Sequence, residues 1–116
     1  MTVANLPPFN IKCGQVFRAL ITLTDSALDP INLSTGWTGK FSVATSYIAD
    51  AALSVAPSGM TSAGVVTISL TAAQSYTLQS LAGEQCLVFQ VDLDKDDGSD
   101  AHRMQGKVNL WPEIVV

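Results

Sequence analysis

From Leu87 onward the apolar residues fall at every second position: Leu87, Phe89, Val91 and Leu93 alternate with Gln90 and Asp92, and Met104, Gly106, Val108 and Leu110 resume the pattern after Asp94-Lys-Asp-Asp-Gly-Ser-Asp100. A period of two sends successive side chains to opposite faces of a strand, so one face is apolar and buried while the other is polar and wet. The acidic run between the two strands is then the turn of an antiparallel hairpin. A hairpin of this kind must cover its apolar face with a second layer, which makes the expected fold class all-β.

The same grammar runs through the rest of the chain. Gln15 to Thr24 reads as a long strand, with Phe17, Ala19, Ile21 and Leu23 on one face and Arg18, Thr22 and Thr24 on the other. Asp25-Ser-Ala-Leu-Asp-Pro30 is turn chemistry. Trp37 to Ile48 is a second strand, with Phe41, Val43 and Tyr47 on the core stripe, and Ala51 to Ala56 a short third. Val65 to Leu70 is β-branched and alternating, and Thr71-Ala-Ala-Gln74 has the spacing of a capping box that opens a helical turn from about Ala72 to Leu78. Short strands at regular spacing, separated by turn clusters, describe an antiparallel β-sandwich of roughly seven strands with one short helical turn. The alternative is a small closed β-barrel or jelly roll. The expected division is an N-terminal extended arm over residues 1–13, held out of helix by Pro7 and Pro8, one sandwich over 14–111, and a C-terminal extension over 112–116.

Composition narrows the functional classes. Of 116 residues, 47% are hydrophobic and only 14% charged, against about 25% charged in an ordinary globular protein. Together with a mean hydropathy of +0.30, that leaves room for a surface covered by another chain. The net charge of −4 and six scattered basic residues argue against a nucleic-acid partner, which needs clustered Lys and Arg. The sequence has no apolar run of membrane-spanning length and no basic-then-apolar leader at Met1 to Leu6, so neither membrane nor secretion is expected. Cys13 and Cys86 lack metal or redox spacing and read as buried thiols, with a disulfide across the sheet as the less favoured state.

Four sets of residues are weighed as sites. Asp92, Asp94 and Asp96 invite a calcium reading because hard cations take clustered oxygen ligands. The register misses, however: Asp97 stands where the turn glycine belongs, Gly98 comes one residue late, and Arg103 occupies the position of the bidentate glutamate. Asp97-Gly98 is itself a favoured hairpin turn, so no metal or cofactor is expected. His102 is the only histidine; it reads as a surface residue and excludes a triad within one chain. With no phosphate loop and no nucleophile beside a base, the chain is not expected to be an enzyme. The aromatics Trp37, Tyr47, Tyr76 and Trp111 could stack on sugar rings, although Tyr47 lies on the core stripe and Trp37 is placed to seal a sandwich end. Trp111 lies on the face opposite Val108 and Leu110 and is the best single contact for a partner chain. Leu6, Pro7, Pro8 and Phe9 on one side, and Trp111, Pro112, Ile114, Val115 and Val116 on the other, are apolar segments outside the expected sheet. Such arms suit strand addition to a neighbour, and they form the expected interface.

A resemblance gives these readings a setting. Gly14-Gln-Val-Phe17 opening a strand, Leu23-Thr-Asp25, Ile31-Asn-Leu33, Gly64-Val-Val-Thr-Ile-Ser-Leu-Thr71, Phe89-Gln-Val-Asp-Leu93, Asp97-Gly98 and Arg103-Met-Gln-Gly106-Lys-Val108 together resemble the small Ig-like sandwich modules of tailed-phage virions. These include capsid decoration proteins and the N-terminal domains of baseplate or tail-fibre proteins. The resemblance implies a non-enzymatic virion component made in the host cytoplasm. Because no fibre or coiled coil accompanies the module, it points first to a decoration or cement protein that forms a homo-oligomer on the major capsid protein or another virion protein. A tail or baseplate adaptor and a carbohydrate-binding module are the alternatives.

Overall fold

A computed structural model of the chain describes residues 2–25, 27–47, 50–81 and 87–111. Nine strands form among them: β1 (Thr2–Asn5), β2 (Phe9–Lys12), β3 (Phe17–Thr22), β4 (Trp37–Ala44), β5 (Leu53–Val55), β6 (Gly59–Met60), β7 (Val65–Leu70), β8 (Leu87–Lys95) and β9 (Ala101–Trp111). One helix, α1 (Ala72–Tyr76), and a 3-10 turn over Gln79–Leu81 lie between β7 and β8. The strands make two sheets. One has six strands, in the order β1-β9-β8-β4-β5 with β2 also on β9, and the other is β3-β7-β6.

The chain crosses between the sheets repeatedly: β3 in the small sheet, β4 and β5 in the large one, β6 and β7 back in the small one, β8 and β9 again in the large one. This is the Greek-key connection of an Ig-like β-sandwich. Register follows from the alternation. Phe41 stands opposite Val91 and Val43 opposite Phe89 in the β4–β8 ladder, and Val66, Ile68 and Leu70 of β7 face them from the other sheet, all between 0 and 1% exposed. A slip of one residue would turn every one of these side chains out to water. Burial of this set, with Ile11, Leu33 and Leu78 joining it, is the main force that holds the layers together.

The N-terminal segment departs from the expected free arm. β1 runs parallel to β9 with Thr2 to Asn5 opposite His102 to Gln105, and β2 continues with Phe9 to Lys12 opposite Val108 to Trp111. Between them Leu6, Pro7 and Pro8 stand against Gly106 and Lys107, one residue more than the partner strand offers. The extra residue is a bulge, and the prolines occupy it because they have no N–H to give to the ladder. Leu6 still donates to the Gln105 carbonyl at 2.8 Å. Gly106 makes this close approach feasible: a Cβ there would lie 2.7 Å from Phe89 Cε1 and 2.9 Å from the Leu6 carbonyl oxygen. The segment is drawn in because Phe9 is itself a core side chain. Its ring lies over Phe89 at a centroid distance of 3.9 Å and an interplanar angle of 7°, with Phe17 at 5.5 Å. The sheet is therefore not purely antiparallel, and the sandwich begins at residue 2 and not at residue 14.

Local chemistry at the helix follows the sequence closely. Thr71 Oγ1 accepts from the Gln74 N–H at 3.1 Å, and Gln74 Oε1 accepts from the Thr71 N–H at 2.9 Å, which completes the capping box. The helix is shorter than expected because it passes into the 3-10 turn after Thr77. Ser75, fully buried, ties α1 to the β2–β3 connection: its hydroxyl donates to the Gln15 carbonyl at 2.6 Å and accepts from the Gly14 N–H at 3.1 Å.

Candidate docking surface

The largest departure from hydrophobic-in, polar-out patterning lies on β3. Leu20 falls on the face that carries Arg18 and Thr22, where the alternation calls for a polar residue, and it is 64% exposed; Val16, just before the strand, is 75% exposed. The signal is present in the sequence as a leucine among polar residues, on the face opposite the apolar stripe of Phe17, Ala19, Ile21 and Leu23. β3 is also the terminal strand of its sheet, so this apolar surface sits beside an unpaired strand edge.

Two adjoining clefts open next to that edge. One, of about 330 Å³, is lined by Leu6, Pro7, Pro8, Phe9, Leu20, Ile21 and Thr22. The other, of about 240 Å³, runs past Ala4, Ile21 and Leu23 to His102, Arg103 and Met104. They share Leu6, Ile21 and Thr22, so they form one groove between the N-terminal segment on the large sheet and β3 on the small one. Of the residues expected at an interface, Leu6 and Phe9 are half-buried parts of the sandwich that reach the groove, while Pro7 and Pro8 are exposed on its rim. Phe9 is thus corrected from a docking residue to a core residue with one accessible side. Trp111 does project from β9, 59% exposed. Pro112, Ile114, Val115 and Val116 lie outside the described residues.

The acidic hairpin spreads its carboxylates apart. Asp92 is held by Arg103, whose Nε donates to Oδ1 at 2.6 Å. Asp96 accepts from the Thr38 hydroxyl at 2.8 Å, and Asp97 Oδ1 accepts from the Ser99 N–H at 2.9 Å. The side-chain and backbone hydrogen bonds from Ser99 hold the Asp97 carboxyl below its ordinary range. The turn itself runs from Lys95 to Gly98, closed by the Gly98 N–H on the Lys95 carbonyl at 2.8 Å, with Gly98 at φ 78°. It is a wider loop than the two-residue hairpin expected for Asp97-Gly98, because the strands close at the Lys95 N–H, which donates to the Asp100 carbonyl at 3.0 Å. Among the described residues, no group of three or more His, Cys, Asp or Glu side chains is placed to hold a metal ion.

His102 is less exposed than expected. Its side chain is 16% accessible, Nε2 is 3.1 Å from Asp100 Oδ2, and its ring stacks on Trp37 at 5.7 Å. The pair closes the hairpin end of the sandwich, which separates Trp37 from the other aromatics. Tyr47 lies in the turn after β4 and is 43% exposed, off the core stripe, because β4 ends at Ala44. Tyr76 on α1 is 54% exposed. α1 is pinned to Gly14 and Gln15, and the preceding Cys13 N–H donates to the Trp111 carbonyl at 2.9 Å. Tyr76 and Trp111 therefore share the end opposite Trp37. Cys13 is buried, 2% exposed, and Cys86 lies outside the described residues.

Comparison by sequence gives no match to a protein-family model or to a curated protein. Among solved structures the chain is similar to Tim-1, at 12% identity and a TM-score of 0.46, over 95% of this chain and 97% of that one. The assignment to the Ig-like β-sandwiches rests on the strand order and the two-sheet core.

Proposed function

We propose that this chain is a non-enzymatic structural module of a tailed-phage virion, a decoration or cement protein that adds stability to the shell by binding the major capsid protein or another virion protein in many copies. The observation that carries the docking reading is the unpaired edge of β3, where the exposed Leu20 lines the groove. Exposed apolar surface on a strand edge is costly to leave uncovered and suits a contact between proteins. The virion setting comes from the resemblance of the turn and strand motifs to phage sandwich modules. Many weak docking contacts repeated over a shell sum to a large stabilisation.

Imaging of virions carrying the labelled protein tests the reading. Many copies spread over the shell are expected; a few copies at the tail would replace decoration by an adaptor role, and absence from the particle would overturn the virion assignment. A second reading has its own observation: Tyr76 and Trp111 are both exposed at one end of the sandwich, as a carbohydrate-binding module requires. Saturable binding in saccharide titrations, lost in Trp111→Ala, would favour it.

A further inference from the structure

The ladder between β3 and β7 fixes which backbone groups of β3 face away from its sheet. Leu23 donates to the Gly64 carbonyl at 2.8 Å, and Thr22 stands opposite Val65, Ile21 opposite Val66 and Ala19 opposite Ile68. Hydrogen-bonded and non-hydrogen-bonded pairs alternate in an antiparallel ladder, so Phe17, Ala19 and Ile21 bond to β7, and the backbone N–H and C=O groups of Arg18, Leu20 and Thr22 point away from it. The other side of β7 agrees, since the Thr67 and Val65 carbonyls accept from Ser58 and Thr61 at 2.9 and 3.0 Å. Among the described residues no strand lies on the outward side of β3. In constant-type Ig sandwiches a first strand takes this place; here the N-terminal segment pairs with β9 in both β1 and β2, which leaves the position open.

We propose that two copies of this chain pair through β3, antiparallel about a two-fold axis at Leu20, so that the two small sheets become one continuous sheet. The side chains make the strand its own complement in one register. With the axis at Leu20, the two exposed leucines meet each other and each Arg18 faces the partner's Thr22, while Ala19 and Ile21 face each other on the core side. An axis at Arg18 would oppose like charges, and one at Ala19 would set each Arg18 against a leucine; both are disfavoured. Leu20 has its backbone groups directed outward, so the central pair exchanges both hydrogen bonds, as a two-fold antiparallel contact requires. The usual edge protections are absent from this strand: no proline, no inward charge, and a single outward cation at Arg18. Strands of six residues make an interface small against the standard ~1,600 Å², so the dimer dissociates on dilution. The inference gives this edge to a second copy and not to a capsid protein; it stands without the virion reading, and within that reading the edge is the contact between neighbouring decoration subunits.

Sedimentation velocity on the full chain from micromolar to millimolar concentration, with oxidative cross-linking of variants that add one cysteine, tests it. Leu20→Cys places two sulfurs across a hydrogen-bonded pair whose Cα atoms are about 5.5 Å apart, within disulfide reach. Arg18→Cys places them about 14 Å apart along the ladder, out of reach. The expected result is a concentration-dependent dimer, locked by oxidation in Leu20→Cys and not in Arg18→Cys, with wild type run alongside to account for Cys13 and Cys86. Thr22→Pro removes an outward N–H and leaves the β7 ladder intact; with circular dichroism showing a native fold, it should raise the dimer dissociation constant at least tenfold. A chain that is monomeric throughout, equal cross-linking of the two variants, or undiminished dimerisation of folded Thr22→Pro overturns the proposal.

Discussion

Phe9→Ala decides whether the first dozen residues are an appendage or part of the fold. Truncating a core phenylalanine costs about 3–5 kcal/mol. Phe9 is half-buried, which lowers the transfer part, but its ring lies parallel to Phe89 at 3.9 Å and also meets Phe41 at 6.2 Å. Aromatic pairs of that kind add about 0.5–1.5 kcal/mol beyond area burial, so about 3 kcal/mol is expected. Unfolding entropy of about 2.1 cal/mol/K per residue converts this, for 116 residues, into a fall in Tm of about 12 °C. Urea and thermal unfolding, followed by far-UV circular dichroism, measure both quantities. Pro8→Ala, on the exposed rim of the groove, should change stability by less than about 0.5 kcal/mol, and Phe9→Leu should recover more than half of the loss. A Phe9→Ala variant destabilised by less than about 1 kcal/mol would refute the reasoning, because β2 would then contribute nothing to the core that a free arm does not.

Other consequences follow from single contacts. Gly106→Ala should destabilise by about 2 kcal/mol or more in the same unfolding assay, since the added methyl group would press on Phe89 and on the Leu6 carbonyl and both neighbours are fixed. Ser75→Ala should cost about 1–3 kcal/mol by leaving the Gly14 N–H without its acceptor, with hydrogen exchange at Gly14 rising more than at residues of β8. The Asp97 carboxyl, held below its ordinary range mainly by Ser99, favours the folded turn when ionised. That contribution is present above the unfolded-state pKa and lost as pH falls through the lower folded one. An NMR titration of the Asp97 side chain should therefore show its midpoint rising in Ser99→Ala, and an unchanged midpoint would rule out the hydroxyl as the cause.

Much of the large sheet was legible in sequence because its strands obey one local rule. Phe41, Val43, Phe89, Val91, Leu93, Met104 and Val108 repeat at period two, and the structure buries every one of them. The capping box at Thr71 and Gln74 was legible for the same reason: its donors and acceptors are three residues apart. The candidate site was less so. Leu20 carried a signal in its place among Arg18 and Thr22, yet its meaning depends on β3 being an edge, and an edge is a property of strand order. Tyr47 leaves the core stripe that its alternation predicts because β4 stops at Ala44, and His102 is more covered than its sequence neighbours imply because Trp37, far from it in sequence, lies beside it in space.

The sequence by itself determined which residues turn inward, where the turns fall, and hence that the chain is an all-β sandwich, since side-chain periodicity is a local property of the backbone. Only the tertiary structure decided what the N-terminal segment does. Pro7 and Pro8 forbid a helix equally well in a free arm and in a bulge, and the choice was made by the Phe89 ring that receives Phe9 and by the missing side chain of Gly106 that lets Leu6 approach. By binding that segment to β9, the fold leaves β3 uncovered, and the docking edge is the result of a pairing between residues about a hundred positions apart.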